Sequence, residues 1–313
     1  MVRTLHSDEI PIDAELVRGL IRRAMPAYAD EPVRRLPSTG STNALFRLGK
    51  ELLVRLPRQP GGSADIAKEA TWLPVLGPLL PVSVPEVVGV FDADRFYPEQ
   101  WSVVRWIDGT HPEVVDPGTA TDPRRQVLAA NLAAVLRAFR RAEVSTQAVR
   151  DPRLRSYRGR ALTTMDEATR ENIERCRSLE GFGFDLDAAE QIWGQAMQLP
   201  ETGGTDPCWY HGDLAAENLL VRDETLIAVL DFGGLSIGDP TVDLVVAWEI
   251  LDPPAREAFR RQTGVDDLTW LRGRALALSI TLMIWYYWTT MPGRRARCMA
   301  VGQNVLMDAG YPV

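Results

Sequence analysis

Residues 209–221 read WYHGDLAAENLLV and residues 229–244 read VLDFGGLSIGDPTVDL, and these two stretches decide the fold. Asp213 is followed five positions later by Asn218 and eighteen later by Asp231. The LLV and LIAVL runs beside Asn218 and Asp231 have strand character, so both oxygen donors are expected at strand ends. There they can converge on one Mg2+ together with phosphate oxygens and water. Asp213 is left as a carboxylate for a substrate hydroxyl.

Working outward, the chain has 313 residues, 45% hydrophobic and 25% charged, which describes an ordinary globular protein with room for one large domain or two lobes. The formal charge of −7 argues against nucleic acid as a partner and suits a neutral or cationic small molecule better. Lys50 and Lys68 are the only lysines, and neither lies in a G-x-x-x-x-G-K-[ST] loop, so a Walker-type nucleotidase is excluded. The arginine bias reads as genome composition rather than function. Cys176, Cys208 and Cys298 are far apart, and with no signal peptide the expectation is a cytoplasmic protein with reduced thiols. The longest apolar run, Ala275 to Trp288, is shorter than the roughly 18 residues a bilayer span needs and carries Ser279 and Thr281, so it is expected to be a buried core helix with no membrane partner. There is no G-x-S-x-G elbow and no H-E-x-x-H helix.

Periodicity organises the rest. Residues 13–25 show helical spacing with Asp13 as N-cap and Pro26 as stop. Short runs between Val33 and Leu56 read as an antiparallel meander, residues 64–80 as a helix, and 84–91 and 101–107 as two further strands. Residues 122–142 and 185–198 read as helices, 218–221 and 226–230 as strands, and Val242 to about Asp308 as closing helices. The expected fold class is α+β: a small β-rich N-lobe over residues 1–108 and a larger, mainly helical C-lobe over 109–313, with a nucleotide in the cleft between them.

The two opening stretches, together with ALFRLGKELLVRLPR, EATWL and WSVVRWIDG, resemble the aminoglycoside phosphotransferase family of the protein-kinase-like superfamily, a likeness that runs from about residue 37 to 290. The resemblance implies Asp213 as the catalytic carboxylate, Asn218 and Asp231 as Mg2+ ligands, and ATP or GTP as phosphate donor. It implies a bracing role for His211, and for Asp239 and Asp243 a role in steadying the catalytic loop. Arg55 stands where the superfamily has a phosphate-binding lysine, and Glu69 where it has that lysine's helix partner. The phosphate loop, STGSTN, has one glycine, leaving Ser41, Thr42 and Asn43 as donors. Arg105, Trp106 and Ile107 fall on the connector that meets the base.

Asp239 comes only eight positions after Asp231, with no A-P-E triplet, so the peptide platform of a protein kinase is missing and a small-molecule acceptor is expected. Trp270, Trp285, Tyr286, Tyr287 and Trp288 are candidate pocket walls. An antibiotic is the expected acceptor, aminoglycosides first and macrolide, peptide or nucleoside antibiotics next. A metabolic kinase for a choline-, homoserine- or sugar-like alcohol is the alternative, and a nucleotide-binding protein without turnover a third. Residues 110–200 carry 13 acids and 13 bases, whereas residues from 201 on carry 15 against 9, with Glu249 and Asp252 close behind the second motif. That acidic excess favours a cationic acceptor; the basic cluster from Arg150 to Arg160 opposes it.

Overall fold

The computed structural model describes residues 8–37, 42–200 and 207–312. Helix α1 (Ala14–Ala24) starts where the Asp13 carboxylate accepts the N–H groups of Glu15 and Leu16, at 2.9 and 2.8 Å, and ends before Pro26. Strands β1 (Val33–Arg35), β2 (Asn43–Leu48), β3 (Leu52–Pro57), β4 (Val87–Phe91) and β5 (Trp101–Arg105) make an antiparallel sheet in the order β1-β2-β3-β5-β4. Leu52, Val54 and Leu56 pack with Phe46, Leu48 and the Val17, Leu20 and Ile21 face of α1. Because side chains alternate along a strand, Arg55 emerges on the opposite face.

Helix α2 (Ser63–Leu76) is inserted between β3 and β4, and Glu99 accepts the first N–H of the helix, that of Ser63, together with that of Gly61 just before it, at 2.9 Å each. Its Trp72, Leu73 and Leu76 belong to the core that holds Leu132, Leu136 and Phe232, not to the core under the sheet. The Trp72 ring centre lies 5.3 Å from that of Trp209, and its indole N–H donates to Asp151 at 2.8 Å.

Downstream, α3 (Arg125–Arg141), α4 (Thr146–Arg150), α5 (Asp166–Arg177) and α6 (Leu186–Met197) lead into β6 (Cys208–Tyr210), the hairpin β7 (Leu219–Arg222) and β8 (Thr225–Val229), and β9 (Ser236–Gly238), which pairs with β6. Helices α7 (Ala247–Ile250), α8 (Pro253–Thr263), α9 (Asp267–Leu282) and α10 (Pro292–Asp308) follow. The hairpin is clasped by backbone from both sides: Thr110 N–H donates to Val221 O at 3.0 Å and Ser83 N–H to Ile227 O at 2.9 Å.

Two readings need correction. Asn218 closes a short 3-10 turn, and the strand begins one residue later. The Ala275–Trp288 run is helical only to Leu282; a 3-10 turn covers Met283–Tyr287, with Met283 and Tyr286 exposed. Four consecutive large rings, Trp285 to Trp288, cannot all face one core, and the tighter turn redistributes them. Among the described residues no helix is long and apolar enough to cross a membrane.

Trp72→Ala removes the ring that anchors α2 to the second core. The expected loss is about 3–5 kcal/mol in chemical denaturation, in the range for a large aromatic truncated in a packed core; a loss under about 1 kcal/mol would show that α2 is not held by this contact.

Candidate active site

The loop carrying Asp213 is fixed from beneath. The buried Asp243 carboxylate accepts the backbone N–H groups of His211 and Gly212, each at 2.7 Å. Burial pushes the Asp243 carboxyl above its ordinary value, while His211 and these two donors pull it back. Gly212 has φ +81°, and a Cβ there would lie 2.4 Å from Gly234 O, so only glycine fits. The Asp213 N–H donates to His211 Nδ1 at 3.2 Å, which assigns the ring proton to Nε2, and Nε2 donates to Leu230 O at 3.0 Å. His211 therefore bridges the loop to the end of β8.

Asn218 donates from Nδ2 to Asp213 O at 2.9 Å, which leaves its amide oxygen for a metal. Leu230 N–H donates to Asn218 O at 2.8 Å, so Asn218 and Asp231 stand side by side at the two ends of the hairpin. Asp231 takes φ +55°, unusual for a residue with a side chain, and its Oδ1 accepts from Gly233 N–H at 3.3 Å. One amide oxygen and one carboxylate oxygen, both hard donors, fit a magnesium ion that completes its shell with phosphate and water.

Arg55 joins this pair to the sheet. Its guanidinium meets Glu69 through two hydrogen bonds, Nη2 to Oε1 at 3.0 Å and Nη1 to Oε2, and reaches Asp231 Oδ1 at 3.4 Å. Burial alone would lower its pKa, but the Glu69 and Asp231 carboxylates hold it well above the usual arginine value. Lys68, the residue before Glu69, is also buried; it pairs with Asp65 at 3.1 Å and donates to Gly233 O. Sequence reasoning passed over Lys68, although its rarity and its place beside Glu69 were the available signal.

The remaining nucleotide candidates are less clustered. Ser41 lies outside the described residues. Thr42 is exposed and its carbonyl accepts Arg58 N–H at 2.8 Å, whereas Asn43 is buried at the start of β2, with no partner for its Oδ1 among the described residues. Arg105 N–H donates to Glu86 O at 2.9 Å and Trp106 N–H to Glu51 O at 2.8 Å, so both are committed to the sheet and Ile107 is the first residue beyond these pairings. The Arg105 side chain is exposed and pairs with Glu86 at 3.1 Å, and the Trp106 ring lies under the Arg47 guanidinium at 3.8 Å.

On the acceptor side the structure brings up residues that sequence reasoning did not single out. Arg158, from a short turn between α4 and α5, places Nη1 2.5 Å from both Asp213 Oδ1 and Gly212 O. Desolvation would raise the Asp213 carboxyl, but Arg158, with help from His211 and Arg294, holds it below the ordinary value; the side chain remains 48% exposed. Arg297 on α10 lies between Glu217 at 3.1 Å and Glu249 at 3.5 Å. Trp270 proves to be core, 4.7 Å from Trp248, and Trp285 Nε1 is spent on Asn172 at 2.7 Å.

Comparisons with known proteins bear on the family and the fold. The profile of the phosphotransferase enzyme family matches residues 33–277. An aminoglycoside 3'-phosphotransferase of Escherichia coli is 34% identical over 82 residues, which are 25% of this chain and 30% of that relative's length. Among solved structures, a phosphotransferase complex with GDP and kanamycin superposes with a TM-score of 0.64 at 20% identity, covering 94% of this chain and 98% of its own. A macrolide 2'-phosphotransferase from Brachybacterium faecium does so with a TM-score of 0.58 at 19% identity, covering 94% and 98%. At such identities the superpositions establish the kinase-like fold.

Burial pushes the Glu249 carboxyl from 4.5 up to about 6, against the pull of Arg297 and the Ala216 N–H. The native state thus holds this proton more tightly than the unfolded chain, and Glu249 makes stability fall as pH rises through that window. Glu249→Gln lacks this dependence, so its Tm relative to wild type is expected to rise between pH 4.5 and 6 and to stay level above pH 7. A difference that does not change with pH would remove Glu249 as the titrating group.

Proposed function

Because the chain belongs to the phosphotransferase enzyme family, we propose that it transfers the γ-phosphoryl group of ATP or GTP to a hydroxyl of a small molecule. The observation that carries this reading is the half-open Asp213 carboxylate on a loop held by Asp243, beside Asn218 and Asp231. In the proposed reaction the acceptor hydroxyl oxygen bonds to the γ-phosphorus as the bond to the β–γ bridging oxygen breaks. The hydroxyl proton passes to Asp213, and ADP or GDP leaves. With a loose transition state the main task of Asp213 is to orient the hydroxyl, so a depressed basicity is no handicap. Asn218 and Asp231 would hold Mg2+, which neutralises phosphate charge when bound. Arg55, with Glu69 behind it, faces the same space and suits the α and β phosphates.

Only the 3-10 turn at Phe232–Gly234 and β9 separate Asp231 from Asp239, which leaves no segment on which a peptide could lie. A small acceptor in a pocket of the helical part follows. We place the lobe boundary at 108/109, where the chain passes from β5 to the hairpin clasp at Thr110. Relatives solved with GDP, ADP or ATP, some with antibiotics bound, support an antibiotic-inactivating role in the cytoplasm, where nucleotide is at hand. Phosphorylation would add a bulky dianion that the drug's target cannot accommodate.

Nucleotide turnover measured with a panel of antibiotics and metabolic alcohols separates a resistance enzyme from a metabolic kinase. Asp213→Asn is expected to lower kcat by about 100-fold or more, the usual scale for a lost proton acceptor, with nucleotide Kd unchanged. Asp231→Asn is expected to weaken Mg-nucleotide binding as well. Near-wild-type turnover in Asp213→Asn would reject the assignment.

A further inference from the structure

We infer that the acceptor is a hydroxyl compound carrying no more than one positive charge, and that Arg158 is the side chain that keeps polycations out. This rests on the phosphotransferase reading and specifies its acceptor. Asp213 is the anion a polycation would seek, and it already holds a guanidinium: Arg158 Nη1 is 2.5 Å from its Oδ1. A second guanidinium, that of Arg294 in the first turn of α10, adds its field at the same carboxylate. Asp213 Oδ2, next to Asn218 Nδ2 at 3.4 Å, is the atom left for a hydroxyl.

The acids nearest the two motifs, Glu249 and Asp252 among them, which in sequence pointed to a cationic acceptor, are engaged within the protein. Glu217 and Glu249 clamp Arg297, and Asp243 holds the catalytic loop. Asp252 caps α8 through Ala255 N–H at 3.0 Å and takes Asp122 N–H at 2.8 Å. Asp239 accepts Thr241 N–H at 2.9 Å. A small cavity of about 40 Å3 that shares Arg158 with this site is lined also by Arg160 and Arg272, against the single carboxylate of Asp239.

An amine-rich sugar brought up to Asp213 would set its ammonium groups against the Arg158 and Arg294 guanidiniums, with no spare carboxylate among the residues named above to offset them. A neutral, hydroxyl-rich or singly charged compound meets no such repulsion and gains planar donors for its oxygens.

The test uses full-length enzyme, MgATP and three probes: kanamycin as polycation, erythromycin with one amine, and uncharged chloramphenicol. Acceptor-stimulated ADP release is expected with erythromycin or chloramphenicol and at about 100-fold lower efficiency, or not at all, with kanamycin. Arg158→Glu is expected to bind kanamycin at least about tenfold more tightly than wild type by calorimetry, and Arg158→Lys to keep the exclusion. Efficient kanamycin turnover by wild type, or equal kanamycin affinity in wild type and Arg158→Glu, overturns the inference. So does silence toward all three probes in an enzyme that still hydrolyses MgATP. Loss of Asp213-dependent MgATP hydrolysis itself would instead overturn the phosphotransferase reading.

Discussion

A guanidinium between two carboxylates organises this molecule. Arg55 leaves β3, Glu69 comes from α2 and Asp231 from the end of β8, so one side chain ties together the sheet, the inserted helix and the turn that presents Asp231. A buried cation is costly unless matched by anions in good geometry, and a planar fork can satisfy two at once where a lysine ammonium would concentrate on one. Arginine at this position is thus a change of architecture as much as of residue. Lys68 supplies a second tie from the same helix, to the carbonyl of Gly233. Releasing the helix from the turn that presents Asp231 would require breaking both contacts.

Below that junction the loop bearing Asp213 is shaped by buried groups. Asp243 takes up the His211 and Gly212 N–H groups, and the His211 ring spans to Leu230. Two residues with positive φ, Gly212 and Asp231, sit on either side of this frame. Backbone in such sparsely populated conformations persists because its surroundings over-determine it. Orientation of Asp213 is therefore stored in hydrogen bonds made before any ligand arrives.

The strands of the sheet, the leading helix with its Asp13 cap and the hairpin bearing Asn218 and Asp231 were legible because each is declared by local spacing. What stayed hidden was long-range pairing. Arg55 and Asp231 are 176 positions apart, Arg297 and Glu217 80, and Arg158 and Asp213 55. The abundance of arginine looked like genome composition, and abundance conceals the few that matter. Counting charges along the chain likewise cannot tell that Glu249 and Asp252 are already engaged. The β6–β9 pairing, three residues on each strand, is too short to leave a periodic trace.

The double allegiance of α2 bears on how output is controlled. The helix offers Glu69 to the sheet's Arg55 while its Trp72 is sunk against Trp209 in the other core. Swinging such a helix outward, a way kinase-like folds can be turned off, would require unpacking a tryptophan and stranding a buried ion pair together. The ion pair at the site and the packing of the second core are thus coupled through one helix, and α2 shifts only if both give way together.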